Sequence, residues 1–167
     1  MTHDAGRHRS GRRTLASTQH GYVDLDGQQM TVSYSHEDKA HLRRFRIALA
    51  GLEHQGLVIL DDHEVEAGAE WQDVILEWFR KSNSIVFLVS PNLLASTYVW
   101  DEMNLALELH DQQLTQVIPV IVRPADWKRS PLGAFQALPS GGRAVSTWSN
   151  RDEAWQDVTE GIYKAVA

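Results

Sequence analysis

Short runs of β-forming apolar residues alternate along the chain with longer segments whose apolar positions recur every three or four residues. The first run, Met30-Thr31-Val32-Ser33-Tyr34, has strand length and is rich in β-formers. Asp38 then opens a segment in which Leu42, Phe45, Leu49 and Leu52 fall at helical spacing with arginines between them. Leu57-Val58-Ile59-Leu60 reads as a second strand, apolar on both faces. Residues 61–70 form an acidic loop with Gly68, and residues 71–81 a helix with Val74, Ile75, Trp78 and Phe79 inward. Residues 85–89 are a third strand, closed by Ser90-Pro91. A helix over 98–110 turns Val99, Met103, Ala106 and Leu107 inward. The fourth strand covers 117–122, where Pro119 points to an edge or an irregularity. After a loop rich in proline and glycine, a short fifth strand over 144–148 leads into a last helix from Arg151. Asn150 and Glu153 are spaced there as an N-cap pair.

Strands that are apolar on both faces and alternate with helices predict a parallel sheet covered on two sides. Right-handed crossovers then give a three-layer, flavodoxin-like α/β domain with a five-stranded parallel sheet flanked by helices. Ligands of such folds bind outside the carboxyl ends of the strands. Residues 34–38, 61–70 and 90–102 are therefore the places to look for chemistry.

Composition narrows the function classes. The 167 residues are one domain's worth, 43% hydrophobic and 23% charged. The absence of cysteine excludes a disulfide scaffold, thiolate zinc sites, iron–sulfur clusters and a cysteine nucleophile, and fits a reducing compartment. A net charge of −6 argues against nucleic acid as a partner. The longest apolar run has strand length, so no segment is predicted to span a membrane, and residues 1–20 lack the apolar core of a secretory signal. The expected location is cytoplasmic. Arg7, Arg9, Arg12 and Arg13 stand against Asp4 alone near the start. Residues 1–29 are accordingly expected to be a disordered basic leader, or an arm for an acidic partner, ahead of a domain over 30–167.

The usual signatures of several enzyme classes are missing. There is no G-x-S-x-G elbow, no G-x-G-x-x-G and no phosphate-binding P-loop. A phospho-receiver needs an acceptor aspartate after the third strand, where this chain has Ser90-Pro91. Asp61-Asp62-His63-Glu64 offers carboxylates and an imidazole, but without a recognised metal-ligand spacing, so no metal site is expected.

Five segments in register resemble TIR (Toll/interleukin-1 receptor) domains of the bacterial type. Val32-Ser33-Tyr34-Ser35-His36-Glu37-Asp38 looks like the family's first-strand motif, and Asp61 with Glu66-Ala67-Gly68 and Trp71 like its second strand, BB loop and following helix. Leu88-Val89-Ser90-Pro91-Asn92-Leu93-Leu94-Ala95-Ser96, then Tyr98 and Glu102, resembles its third strand and the helix with the functional glutamate. Val117-Ile118-Pro119-Val120-Ile121 and the stretch from Trp148 to Trp155 complete the likeness over about residues 30–166. Where the family often has a cysteine after the aromatic residue, this chain has Val99.

The resemblance implies one of two functions. Many members cleave NAD+ at the nicotinamide–ribose bond, releasing nicotinamide and ADP-ribose or a cyclic isomer, with NAD+ as substrate and no cofactor. Others are non-catalytic interaction modules, scaffolds or adaptors acting through the BB loop. Glu102 occupies the place of the catalytic glutamate, although Asp101 beside it leaves a one-residue ambiguity. Glu102 is expected in the first turn of its helix, where the dipole favours the ionised form, with Tyr98 four residues earlier on the same face. By the same resemblance Tyr34, Ser35 and His36 sit in the turn that contacts the ribose and phosphate side. Some family enzymes have arginines where this chain has Ser35 and His36, which would leave any phosphate to backbone amides. Asp61 either binds a ribose hydroxyl or caps the loop, and Trp71 either closes over a ring of the substrate or packs in the core. Asp62, Glu64, Glu66 and Gly68 belong to the BB loop, implied to be both lid and interface in self-association or in pairing with another TIR domain.

Overall fold

Parallel strands need a long crossover between each pair, and this chain supplies a helical segment in each. The computed structural model describes residues 23–61 and 69–167, the side chains of residues 69–71 excepted. The strands are β1 (Gln29–Ser33), β2 (Val58–Asp61), β3 (Ser84–Val89) and β4 (Gln116–Ile121). They pair in the order β2-β1-β3-β4, all parallel. Met30 stands opposite Ile59 on one side and Ser84 on the other, and Val86 stands opposite Ile118.

The helices are α1 (Lys39–Ala48), α2 (Ala50–His54), α3 (Ala69–Lys81), α4 (Pro91–Ala95), α5 (Thr97–Asp111) and α6 (Arg151–Val166). Local sequence explains their ends. Ser90 accepts from the Leu93 N–H at 3.1 Å with Pro91 at the first helical position of α4. Asn150 Oδ1 accepts from the N–H groups of Asp152 and Glu153 at 3.0 and 3.3 Å, which is the expected cap of α6.

Because successive strand residues point to opposite faces, the sheet separates two cores. Met30, Val32, Val86, Leu88 and Val120 pack with Leu42 and Phe45 of α1, Leu52 of α2, and Trp155, Val158 and Ile162 of α6. Ile85, Phe87, Val89 and Ile121 pack with Ile75 and Phe79 of α3, Leu93 of α4, and Val99, Met103 and Ala106 of α5. The result is the three-layer α/β arrangement expected.

The sheet has four described strands rather than the five expected. The outer edge of β4 is met instead by Leu138, whose N–H donates to Pro119 O and whose carbonyl accepts from Ile121 N, both at 2.8 Å. Pro139 follows at once and has no N–H with which to extend that pairing. Residues 144–148 do not run as a strand. They tighten into a 3-10 turn, Val145–Thr147, whose Thr147 Oγ1 donates to Ala144 O at 2.7 Å. The edge position inferred from Pro119 holds: its carbonyl faces Leu138, and the nitrogen of the same residue faces that way too, so no ladder bond to β3 is lost.

The folded unit also begins earlier than residue 30. Leu25 is 1% exposed in the core on the α1 side, and its N–H donates to Gln55 O at 2.8 Å. An apolar side chain buried to that extent cannot belong to a disordered leader, so the expected boundary at 29 moves back to at least residue 23. Residues 1–22 lie outside the described residues.

Gly56 makes this close approach possible. Its φ of 113° lies in the left-handed region, and a Cβ there would overlap Asp26 Oδ1 and come within 2.6 Å of Asp26 N. Gly51, within α2, faces open space. Gly56→Ala is therefore expected to lower unfolding free energy by about 2–4 kcal/mol, combining strain and overlap. Gly51→Ala should raise it by about 0.5–1 kcal/mol. Urea denaturation of both variants beside the wild type checks the pair.

Candidate active site

The chain leaves β1 through α1 and α2 to reach β2 on one side of it, then returns through α3 to place β3 on the other side. The carboxyl ends of β1 and β3 are thus the topological switch point, where the connections diverge and leave a crevice. Ser33 ends β1 and Ser90 follows β3 at this point.

Glu102 comes to the crevice from α5. It is 1% exposed, and Ser33 Oγ donates to its Oε2 at 2.7 Å. The position differs from the expectation in one respect. Ser96 stands at the N-cap position of α5 without a side-chain cap bond and Thr97 begins the helix, so Glu102 is in the second turn, and the first turn holds no acidic residue. The helix dipole fades within one turn, and the carboxylate's described support is a serine hydroxyl from a strand. The two neighbouring acids differ in burial: Asp101 is exposed while Glu102 points inward.

The other expected residues are only partly brought together. Tyr98 stands one turn before Glu102 but is 60% exposed, so the two share a helix and not an environment. Tyr34 is buried in the α1-side core, its ring 5.9 Å from that of the exposed His36. Ser35 caps the short turn His36–Asp38 and accepts from Glu37 N at 3.3 Å. Asp61 lies across the sheet from Glu102. It shares the α1 face with Ile59, and its Oδ2 is 2.9 Å from Arg46 Nη1. The same Nη1 donates to Ile59 O at 3.2 Å, and Arg46 Nε reaches Glu53 at 3.3 Å. Asp61 therefore ends its strand in an ion pair with α1. Asp62, Glu64, Glu66 and Gly68 lie outside the described residues, as do His63 and the side chain of Trp71.

One cluster escaped the sequence reading. Asp38, 1% exposed, accepts from Ser90 Oγ and from Arg123 Nε and Nη2, the last two at 3.1 and 3.0 Å. Arg123 Nη2 also donates to Asn92 Oδ1. The cluster ties together the segments that follow β1, β3 and β4. The sequence marks Asp38 as a helix opener at the end of the first-strand motif, and nothing near it signals an arginine 85 residues away. A cavity of about 800 Å³ opens at the opposite end of the sheet, lined by Gln28, Asn83, His110 and Gln116, and contains none of the residues expected in the site.

With this geometry the chain can be compared with known proteins. A family model described as the TIR domain matches residues 30–160. The chain belongs to the TIR-domain family. A relative from Sinorhizobium fredii, the uncharacterized protein y4lF, is 33% identical over 136 residues, covering 80% of this chain but 42% of the relative. This TIR domain thus spans less than half the length of that relative. Among solved structures, the TIR domain of the Toll-related receptor TRR-2 from Hydra magnipapillata superposes with a TM-score of 0.55 at 17% identity, covering 80% of this chain and 97% of the other. The TIR domains of the activated Roq1 resistosome, described as directly recognising the pathogen effector XopQ, give 0.55 at 14% identity, covering 81% and 99%. At these identities the two structures speak for the shared fold alone. No helix among the described residues is long and apolar enough to cross a membrane.

Near the cluster of Asp38 and Arg123, His41 has its pKa lowered from 6.5, chiefly by burial and further by Arg123 and Arg151, against the opposing pull of Asp38. A histidine whose folded value lies below its unfolded value holds fewer protons folded than unfolded. Its contribution is complete above 6.5 and is lost as pH falls toward the folded value. The unfolding midpoint of this TIR domain is expected to drop as pH falls below 6.5, and His41→Gln should flatten that slope; thermal melts across pH 5–7.5 check it.

Proposed function

We propose that this TIR domain is an NAD+ glycohydrolase in which Glu102 is the catalytic carboxylate. The observation that carries the reading is the position of Glu102, an acid buried at the switch-point crevice in a family with NAD+-cleaving members. Nicotinamide leaves NAD+ neutral, because the electron pair of the breaking C–N bond cancels the charge on the ring nitrogen. The departure therefore needs no general acid. Positive charge grows instead on the ribose, where a fixed carboxylate in a dry site stabilises it. Water then adds to the ribose carbon and loses a proton, giving ADP-ribose. Attack by a nitrogen of the adenine in place of water would give a cyclic isomer. NAD+ is substrate here, and the reaction calls for no further cofactor. Of the residues expected around the substrate, Ser35, His36 and Trp71 keep that role in the proposal, while Tyr34 in the core, Asp61 on the opposite face of the sheet and the exposed Tyr98 do not. The proposed setting is the cytoplasm, in defence signalling.

The 1% exposure of Glu102 favours a second reading, a non-catalytic interaction module working through residues 61–70. We reconcile the burial with catalysis through assembly: self-association, or pairing with another TIR domain, through Asp62, Glu64, Glu66 and Gly68 is proposed to open the carboxylate to substrate. The two readings separate in one assay, nicotinamide release from NAD+ at high protein concentration. Glu102→Gln keeps an oxygen for Ser33 and nearly the same shape while removing the charge and exchanging the second oxygen for an NH2 group. It is expected to fold normally and to lose about 100-fold or more of the wild-type rate. Turnover that survives in folded Glu102→Gln would rule out the catalytic assignment. Charge reversal at Glu64 or Glu66 is expected to lower the rate and the oligomer size together, read by the same assay and by light scattering.

A further inference from the structure

The face of β1 that looks toward α3 and α5 carries two buried hydroxyls, Thr31 and Ser33, in a sheet otherwise lined there by isoleucine, phenylalanine and valine. The two hydroxyls are used differently. Thr31 Oγ1 meets Ser82 Oγ at 2.7 Å, and Ser82 Oγ is 2.8 Å from Trp78 O, a chain that ties the start of β1 to the end of α3. Ser33, at the last position of the strand, aims its hydroxyl at Glu102 Oε2.

We infer that Ser33 is a positioning residue for the Glu102 carboxylate, an inference that rests on the glycohydrolase reading. A glutamate side chain has three rotatable bonds, and on α5 its carboxylate is free to swing unless something holds it. Ser33 is in register with Phe87 of β3 at the end of a strand whose earlier residues pair on both sides, so its Cβ is anchored and a single rotation sets its Oγ. Donation from that point selects one orientation of the carboxylate at the carboxyl end of β1. It also supplies a hydrogen bond to the charged form inside a buried site. A carboxylate held in place before the ribose charge develops is worth more in the transition state than in the ground state, because nothing must reorganise at the moment of reaction. The consequence of losing the hydroxyl therefore falls on kcat more than on KM.

Threonine and valine have nearly the same shape, and both suit a strand, so exchanging them at one position isolates the hydroxyl. Wild type, Ser33→Thr and Ser33→Val are assayed together for nicotinamide release at high protein concentration, with thermal midpoints recorded for each. Ser33→Thr is expected to retain kcat within about threefold, and Ser33→Val to lose about 10- to 100-fold in kcat with KM within about twofold. Ser33→Val combined with Glu102→Gln should fall no further than Glu102→Gln alone, since both act through one carboxylate. Where Ser33→Val does not fold, Ser33→Ala takes its place, with the same expectation. Equal rates for the threonine and valine variants, a loss confined to KM, or additive losses in the double variant would overturn the positioning role while leaving the glycohydrolase reading in place. Absence of turnover in the wild type itself would overturn both.

Discussion

Parallel strands cannot be joined by a tight turn, and that constraint organises the molecule. Each return to the sheet lays a helical segment across one face, so β1 and β3 end up covered on both sides and flanked by neighbours. The chain moves to one side of β1 for β2 and to the other side for β3. The crevice between their carboxyl ends follows from this reversal and from nothing else in the sequence. Everything proposed for the site depends on two elements that meet there, the end of β1 and the helix after β3.

Among the described residues two acids are buried at this end of the sheet, and each accepts from a serine hydroxyl at or just after a strand end. Asp38 lies on the α1 side and is matched by Ser90 together with the guanidinium of Arg123. A buried carboxylate facing a full cation is a structural clasp, and removing either partner would strand the other's charge. Glu102 lies on the α5 side and takes a hydrogen bond from Ser33 at the end of β1. Both acids are equally hidden from water, and both are reached by side chains from segments distant in sequence.

The open edges of the sheet are managed in different ways. Val58 on β2 is 49% exposed, as suits an edge strand. The outward carbonyl of Ile59 is capped by Arg46, which also holds Asp61. On the far side Leu138 and the 3-10 turn after it meet β4 where a fifth strand was expected. In both cases some of the edge's backbone groups are engaged by the chain itself, which shortens the length left for another chain to pair with.

Local physics made much of this legible in the sequence. Helical periodicity, the Ser90-Pro91 and Asn150 caps, the strand runs and the edge character of Pro119 all depend on residues within a few positions of one another. For the same reason the motif around Tyr98 and Glu102 could be placed on a helix after the third strand. What the tertiary structure alone decided are relations between distant segments: Asp38 with Arg123, Leu138 on the edge of β4, Leu25 under Gln55, and Asp61 with Arg46 across from Glu102. The burial of Glu102 beside an exposed Asp101 is of this kind as well, because adjacent helical residues differ in which side of α5 meets the sheet. Periodicity and capping are properties of a segment and are written in it. Ion pairs, edge caps and the burial of one acid beside an exposed one arise only when crossovers bring segments together, and no short stretch of sequence carries their signature.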